Sequence, residues 1–167
     1  MLFRSTVAAN GNVGIGTATP ASALDVAGDI NLSGSVLKNG ALFLHVLASD
    51  SSSTGVGRNA LANLAATGSA NTAVGNDALL ANSTGNANVA MGQNSLPSNT
   101  GGSNNTAIGT STLVQNTTGS YNTAVGNSAL ANGTSSSENT AVGVQALFTP
   151  GINGGNAARR RDLLPTR

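Results

Sequence analysis

Large apolar residues in this chain fall at two stations of a fixed cadence, and small or polar residues fill the rest. Val56, Val74, Met91, Ile108, Val125 and Val142 each stand directly before a glycine: Gly57, Gly75, Gly92, Gly109, Gly126 and Gly143. Leu61, Leu79, Leu96, Leu113, Leu130 and Leu147 each stand four residues after it. From Gly75 onward the glycines recur every 17 residues; the step from Gly57 to Gly75 is 18. Asparagine opens five of the units, at Asn71, Asn88, Asn105, Asn122 and Asn139. A fixed period of this kind is the signature of a repeat architecture.

The segments between turn signals are only four to six residues long and rich in Thr and Val. They are too short for helices and favour extended backbone. Corners such as NSTG (82–85), NTGG (99–102) and NTTG (116–119) carry Gly and Asn, which tolerate positive φ. The pattern predicts an all-β fold, a β-solenoid or β-roll over residues 55–153 with one unit per rung. Successive rungs stack about 4.8 Å apart, so equivalent residues lie over one another. The expected core is the Val/Met/Ile column and the leucine column. The glycines are expected at corners and the asparagines in a hydrogen-bonded ladder. With Val74 inward, strand alternation sets Thr72 inward and Ala73 outward. Val89, in the column of Thr72, Thr106, Thr123 and Thr140, fits such a half-buried slot.

The flanks do not follow the cadence. Residues 1–46 read as a small β-rich module. Val13-Gly14-Ile15-Gly16, Leu24 with Val26, and Ile30 with Leu32 alternate as in half-buried strands. Thr19 as N-cap before Pro20 predicts a short turn of helix, and Asn39-Gly40 predicts a hairpin. A Ser-rich connector (47–54) follows. Residues 154–167 read as an irregular basic tail.

Composition narrows the partners. Charged residues make up 8% of the 167, against roughly 25% in an ordinary domain. Stacking accounts for this, because a charge repeated at one station opposes its own kind. Inside the repeats only Arg58, Asp77 and Glu138 are charged, each in a different unit. A net charge of +1, with Arg159, Arg160, Arg161 and Arg167 in the tail, implies no nucleic-acid surface. Aromatics are 2%: Phe3, Phe43, Tyr121 and Phe148. Such small side chains give a thin core, and association of several chains would bury more apolar surface. There is no cysteine for a disulfide. No apolar run reaches the ~20 residues of a membrane helix, so no membrane insertion is expected. The N-terminal MLFRST lacks the apolar region of a signal peptide.

Candidate chemistry is sparse. GNVGIG (11–16) has its glycines in the wrong order for a dinucleotide loop, and no Lys-Ser/Thr closes it. His45 is the one histidine, and Asp50 five residues away does not make it a site. Asp25 and Asp29 read as loop carboxylates, and Asp77 and Glu138 do not form a pair for glycosidase work. Asn31, Asn82, Asn104, Asn116 and Asn132 head Asn-x-Ser/Thr triplets, expected by chance in such a composition. The reading is a non-enzyme with no catalytic residue, metal or cofactor. Tyr121 is the one candidate ligand contact.

The segment GNVGIGTATPASALDVAGDINLSGSVLKNG resembles one common in phage tail-fibre proteins and related bacterial surface proteins. The repeats NTAVGNDALLANSTG and NTAIGTSTLVQNTTGSYNTAVGNSAL look like the arrays that follow it there. They are also similar to the β-roll heads of trimeric autotransporter adhesins. The likeness covers about residues 10–150. It implies an elongated parallel homotrimer, extracellular, on a virion tail fibre or a microbial cell surface. The implied partners are other copies of the chain and a host-surface glycan or protein. Contacts are then expected on the corner loops 82–87, 99–104, 116–121 and 132–138. Two alternatives stand beside this reading. The threonine column suggests an ice-binding flat face, which requires those threonines to be exposed. The repeats also suit a structural spacer with no ligand.

Overall fold

A computed structural model describes residues 5–27, 36–38, 41–45, 52–65, 67–148 and 154–158. The chain divides into two compact units, Met1–Ser33 and Gly34–Arg167. No helix occurs among the described residues.

In the first unit, β1 (Ser5–Val7) pairs antiparallel with β2 (Val13–Ile15). Strand β2 pairs in parallel with β3 (Leu24–Val26), Val13 against Leu24. The helical turn expected at Thr19–Pro20 does not form. A parallel pairing obliges residues 16–23 to return the chain to the start of β2, and side chains hold that return. Asn12 Nδ2 donates to the Pro20 carbonyl at 3.2 Å, and the Ala21 N–H donates to Asp25 Oδ2 at 3.0 Å. Ile30 and Leu32 lie outside the described residues.

In the second unit, β4 (Val36–Lys38) and β5 (Ala41–His45) form the expected hairpin, with Lys38 opposite Ala41. Its turn, 39–40, lies outside the described residues. Strand β5 then pairs antiparallel with β6 (Thr54–Val56), the first rung. The hairpin therefore belongs to the solenoid sheet, and the break between units falls after Ser33 rather than at 46. The first rung also begins at Thr54, inside the expected connector.

Strands β7 (Thr72–Val74), β8 (Val89–Met91), β9 (Thr106–Ile108), β10 (Thr123–Val125) and β11 (Thr140–Val142) add in parallel. Register is strict: Thr54 against Thr72, Thr72 against Val89, and so on to Val125 against Val142. The result is a parallel β-solenoid of about five turns. Strand β12 (Ala157–Ala158) continues it, pairing with Thr140 and Ala141. The cadence thus runs into residues read from sequence as irregular, because Asn156 takes the station one period beyond Asn139.

The corners rest on left-handed backbone. Three stations per rung have positive φ without being glycine. In one rung they are Asp77 (56°), Leu79 (50°) and Ala87 (53°). A left-handed leucine costs roughly 1–2 kcal/mol. It persists because its side chain is fully buried in Leu61, Leu79 and Leu96, a gain of about 1.5–3 kcal/mol each. The glycine of each pentapeptide has a second reason. Gly92 has φ 133°, and a methyl placed on it would lie 2.6 Å from the Gly109 carbonyl oxygen. Only a residue without Cβ lets the rungs approach so closely there.

Candidate functional site

The interior is built from asparagine, alanine and leucine. Asn71 Oδ1 accepts from the Asn88 backbone N–H at 3.0 Å and from Asn88 Nδ2 at 3.1 Å. The same pair of bonds joins Asn88 to Asn105, Asn105 to Asn122, Asn122 to Asn139 and Asn139 to Asn156. The second Nδ2 proton reaches a carbonyl across the coil, Gly85 for Asn71 and Gly102 for Asn88. Asn71, Asn88, Asn105, Asn122 and Asn139 are all buried. A buried amide must have its hydrogen bonds met, and here it meets them in a continuous chain.

The ladder fixes the phase of every strand. If the asparagine points inward, so does the residue two further on. That residue is Ala73, Ala90, Ala107, Ala124 or Ala141, each 0% exposed. The Val/Met/Ile column expected in the core therefore points outward. Met91 is 43%, Ile108 39% and Val142 40% exposed, while Val56, Val74 and Val125 are half-buried. The threonines share that outer face: Thr72, Thr106 and Thr123 half-buried, Thr140 exposed. The physical cause is thickness. Between the ladder and the leucines a rung holds a methyl, not an isopropyl group. Of the two predicted columns, Leu61, Leu79, Leu96, Leu113 and Leu130 are buried, and Leu147 packs partly buried against them.

A second ladder was not separated from the corners by sequence reasoning. Asn99 Nδ2 donates to Asn82 Oδ1 at 2.7 Å, and Asn116 Nδ2 to Asn99 Oδ1 at 2.9 Å. Each also donates to the carbonyl three residues on, Asn82 to Gly85 and Asn99 to Gly102. Leu64 stands at this station one rung earlier and Gly133 one rung later. Asn116 Oδ1 is buried and has no hydrogen-bond partner. The asparagines that head the Asn-x-Ser/Thr triplets at Asn82 and Asn116 are thus part of the core, while Thr84 and Thr118 are exposed. Ser95 and Thr112 are the polar members of an otherwise alanine column, and they bond each other at 2.9 Å.

Outside, the charged residues of the first rungs are tied down. Asp77 accepts from Asn59 Nδ2 at 2.7 Å and also from Asn76 Nδ2. Arg58 Nε donates to Asn76 Oδ1 at 2.8 Å. Asp25 is engaged by its own loop. No group of three His, Cys, Asp or Glu side chains suited to a metal occurs among the described residues. His45 lies in β5; Asp29 and Asp50 lie outside the described residues. Tyr121 stands on a corner, 63% exposed, with φ 59°. What the molecule presents is a surface: an outward face of Thr and Val, Met or Ile side chains in register along the strands, and a row of corner side chains. Comparison with protein-family models, curated proteins and solved structures gives no match.

Proposed function

We propose that this chain is a structural and adhesive segment of a homotrimeric fibre, on a phage tail or a microbial surface, that presents a host-recognition surface. The observation that carries the reading is the outward column Val56, Val74, Met91, Ile108, Val125, Val142. It is aliphatic, uncharged and in strict register over successive strands. An apolar strip that faces outward, half of its residues exposed and half partly buried, supports an interaction site, and a rod with like residues at every level can meet parallel copies of itself along its length. The backbone and asparagine ladders hydrogen-bond each rung to the next, which gives a stiff support for corner side chains. The number three rests on the resemblance to trimeric fibres and adhesins. Light scattering with circular dichroism on the full chain tests the reading. A β-rich species of three times 16.2 kDa is expected. A β-rich monomer at every concentration overturns it.

One observation favours a second reading, an ice-binding flat face. Thr72, Thr106, Thr123 and Thr140 stand on the outer side of the sheet, although only Thr140 is fully exposed. Against it, Val89 interrupts the column, and the neighbouring column changes shape between Val, Met and Ile. Thermal hysteresis of the purified chain separates the two, and its absence removes this option. A spacer without a ligand would bind neither host cells nor a glycan array.

A further inference from the structure

One corner column is unlike the others. The residue before each ladder asparagine is left-handed throughout: Ala70 (56°), Ala87 (53°), Asn104 (58°), Tyr121 (59°) and Glu138 (62°). Glycine, asparagine and aspartate suit that conformation; a bulky aromatic does not. The backbone N–H of each bonds back to the preceding rung, Asn104 to the Asn86 carbonyl at 2.9 Å, Tyr121 to Ser103 and Glu138 to Ser120, both at 3.0 Å. The three residues are thus held in register on consecutive rungs, about 4.8 Å apart.

Their side chains do no visible work in the fold. Asn104, Tyr121 and Glu138 are all exposed. Among the described residues, the Asn104 amide, the Tyr121 hydroxyl and the Glu138 carboxylate make no hydrogen bond. Tyr121 contributes little burial in return for its strained backbone. Strain without a structural return points toward a function.

We propose that Tyr121, with Asn104 one rung before it and Glu138 one rung after, forms a shallow site for a neutral sugar unit of a surface glycan. The inference rests on the adhesive reading above and names its ligand class. An aromatic ring offers its face to the C–H side of a pyranose, and its hydroxyl remains free at the wet edge. On one flank the Asn104 amide supplies both donors and an acceptor for sugar hydroxyls; on the other the Glu138 carboxylate supplies acceptors only. The carboxylate also selects against sialic and uronic acids, whose own negative charge would stand beside it. The rigid coil holds the three groups in place before the ligand arrives.

Tyr121 is the single tyrosine and the chain has no tryptophan, so its intrinsic fluorescence reports on this site alone. The full chain is titrated with a panel of neutral and acidic mono- and oligosaccharides, while light scattering follows its molar mass. A saturable fluorescence change with neutral members and none with acidic ones is expected. For the variants, binding is followed by calorimetry with the same sugars. Tyr121→Ala should weaken binding by about tenfold or more, Tyr121→Phe by far less, and Glu138→Gln should admit acidic sugars. Circular dichroism should be unchanged in all three. No response to any neutral saccharide, or equal affinity in Tyr121→Ala, overturns the proposal. If the molar mass stays that of a trimer in that case, the fibre reading survives and only the sugar site fails.

Discussion

Asn105 Oδ1 accepts two hydrogens from Asn122, one from its backbone N–H and one from its side-chain amide, both at 3.0 Å. Neither donor has water as an alternative, because both asparagines are buried. Asn105→Ala should therefore cost roughly 2–5 kcal/mol in urea unfolding, since it strands two buried donors and removes the Asn105 bond to the Gly119 carbonyl. A cost below about 0.5 kcal/mol, the usual scale of a surface change, would show that the ladder contributes nothing beyond register.

The second ladder stops at Asn116, whose Oδ1 is left unpartnered where Gly133 replaces the next amide. Gly133→Asn should supply the missing donor and raise stability by about 1–2 kcal/mol. A Cβ there meets Ser136 Oγ at 3.2 Å, which must give by a few tenths of an ångström, and Leu130 Cδ2 at an ordinary contact distance of 3.5 Å. The melting temperature of the variant checks this; an unchanged or lower value rejects it.

Backbone conformation predicts opposite signs for two small substitutions. At Gly109, φ is 127° and a new methyl would lie 2.8 Å from the Gly126 carbonyl carbon. Gly109→Ala should cost about 2–4 kcal/mol. At Ala87, φ is 53° and the side chain is exposed. Ala87→Gly relieves about 1–2 kcal/mol of left-handed strain against an entropy cost of about 0.5–1 kcal/mol. It should be neutral or stabilising by up to about 1.5 kcal/mol, in contrast to its usual destabilising effect. Chemical denaturation of the pair tests both.

The two faces of the strand should answer differently to size and charge. Ala107→Leu overfills a slot with 0% exposure and should destabilise by about 1–3 kcal/mol or more. Under the proposed homotrimer, Met91→Lys combined with Ile108→Lys should keep the β circular-dichroism spectrum and reduce the molar mass to that of one chain. If the double variant keeps its assembly, sister chains do not meet on that column.

Much of this fold was legible from the cadence. The strand positions, the leucine column and the asparagine ladder all follow from a period of 17, because in-register stacking leaves equivalent residues no other arrangement. The direction of the strand faces was not legible from apolarity alone. Hydrophobicity sent the valines inward, but in so thin a coil the inner stations go to groups that must hydrogen-bond and to methyl-sized side chains. A usable signal was present. Gly55, Ala73, Ala90, Ala107, Ala124 and Ala141 never exceed a methyl, whereas the valine station also takes Met91 and Ile108. A slot of fixed volume tolerates one size; an open face tolerates several. Asn82, Asn99 and Asn116 looked like turn residues because each stands three before a glycine, the same spacing that directs the amide to the Gly85, Gly102 and Gly119 carbonyls. Asn156 was hidden by the arginines that follow it. As for the candidate site, Tyr121 stood out by rarity and the period of 17 aligns Asn104 and Glu138 with it, but the exposure and left-handed backbone of all three needed the corner geometry.

The hairpin on the first rung has a consequence for how copies can meet. Strand β5 runs against β6, and the β4–β5 register shifts between Val36 and Leu37. The outermost strand, β4, is thereby turned back into the same sense as the rungs, and what sets that end apart from one more coil is its irregular pairing. An irregular edge of this kind is a poorer template for the end-to-end strand addition that builds amyloid.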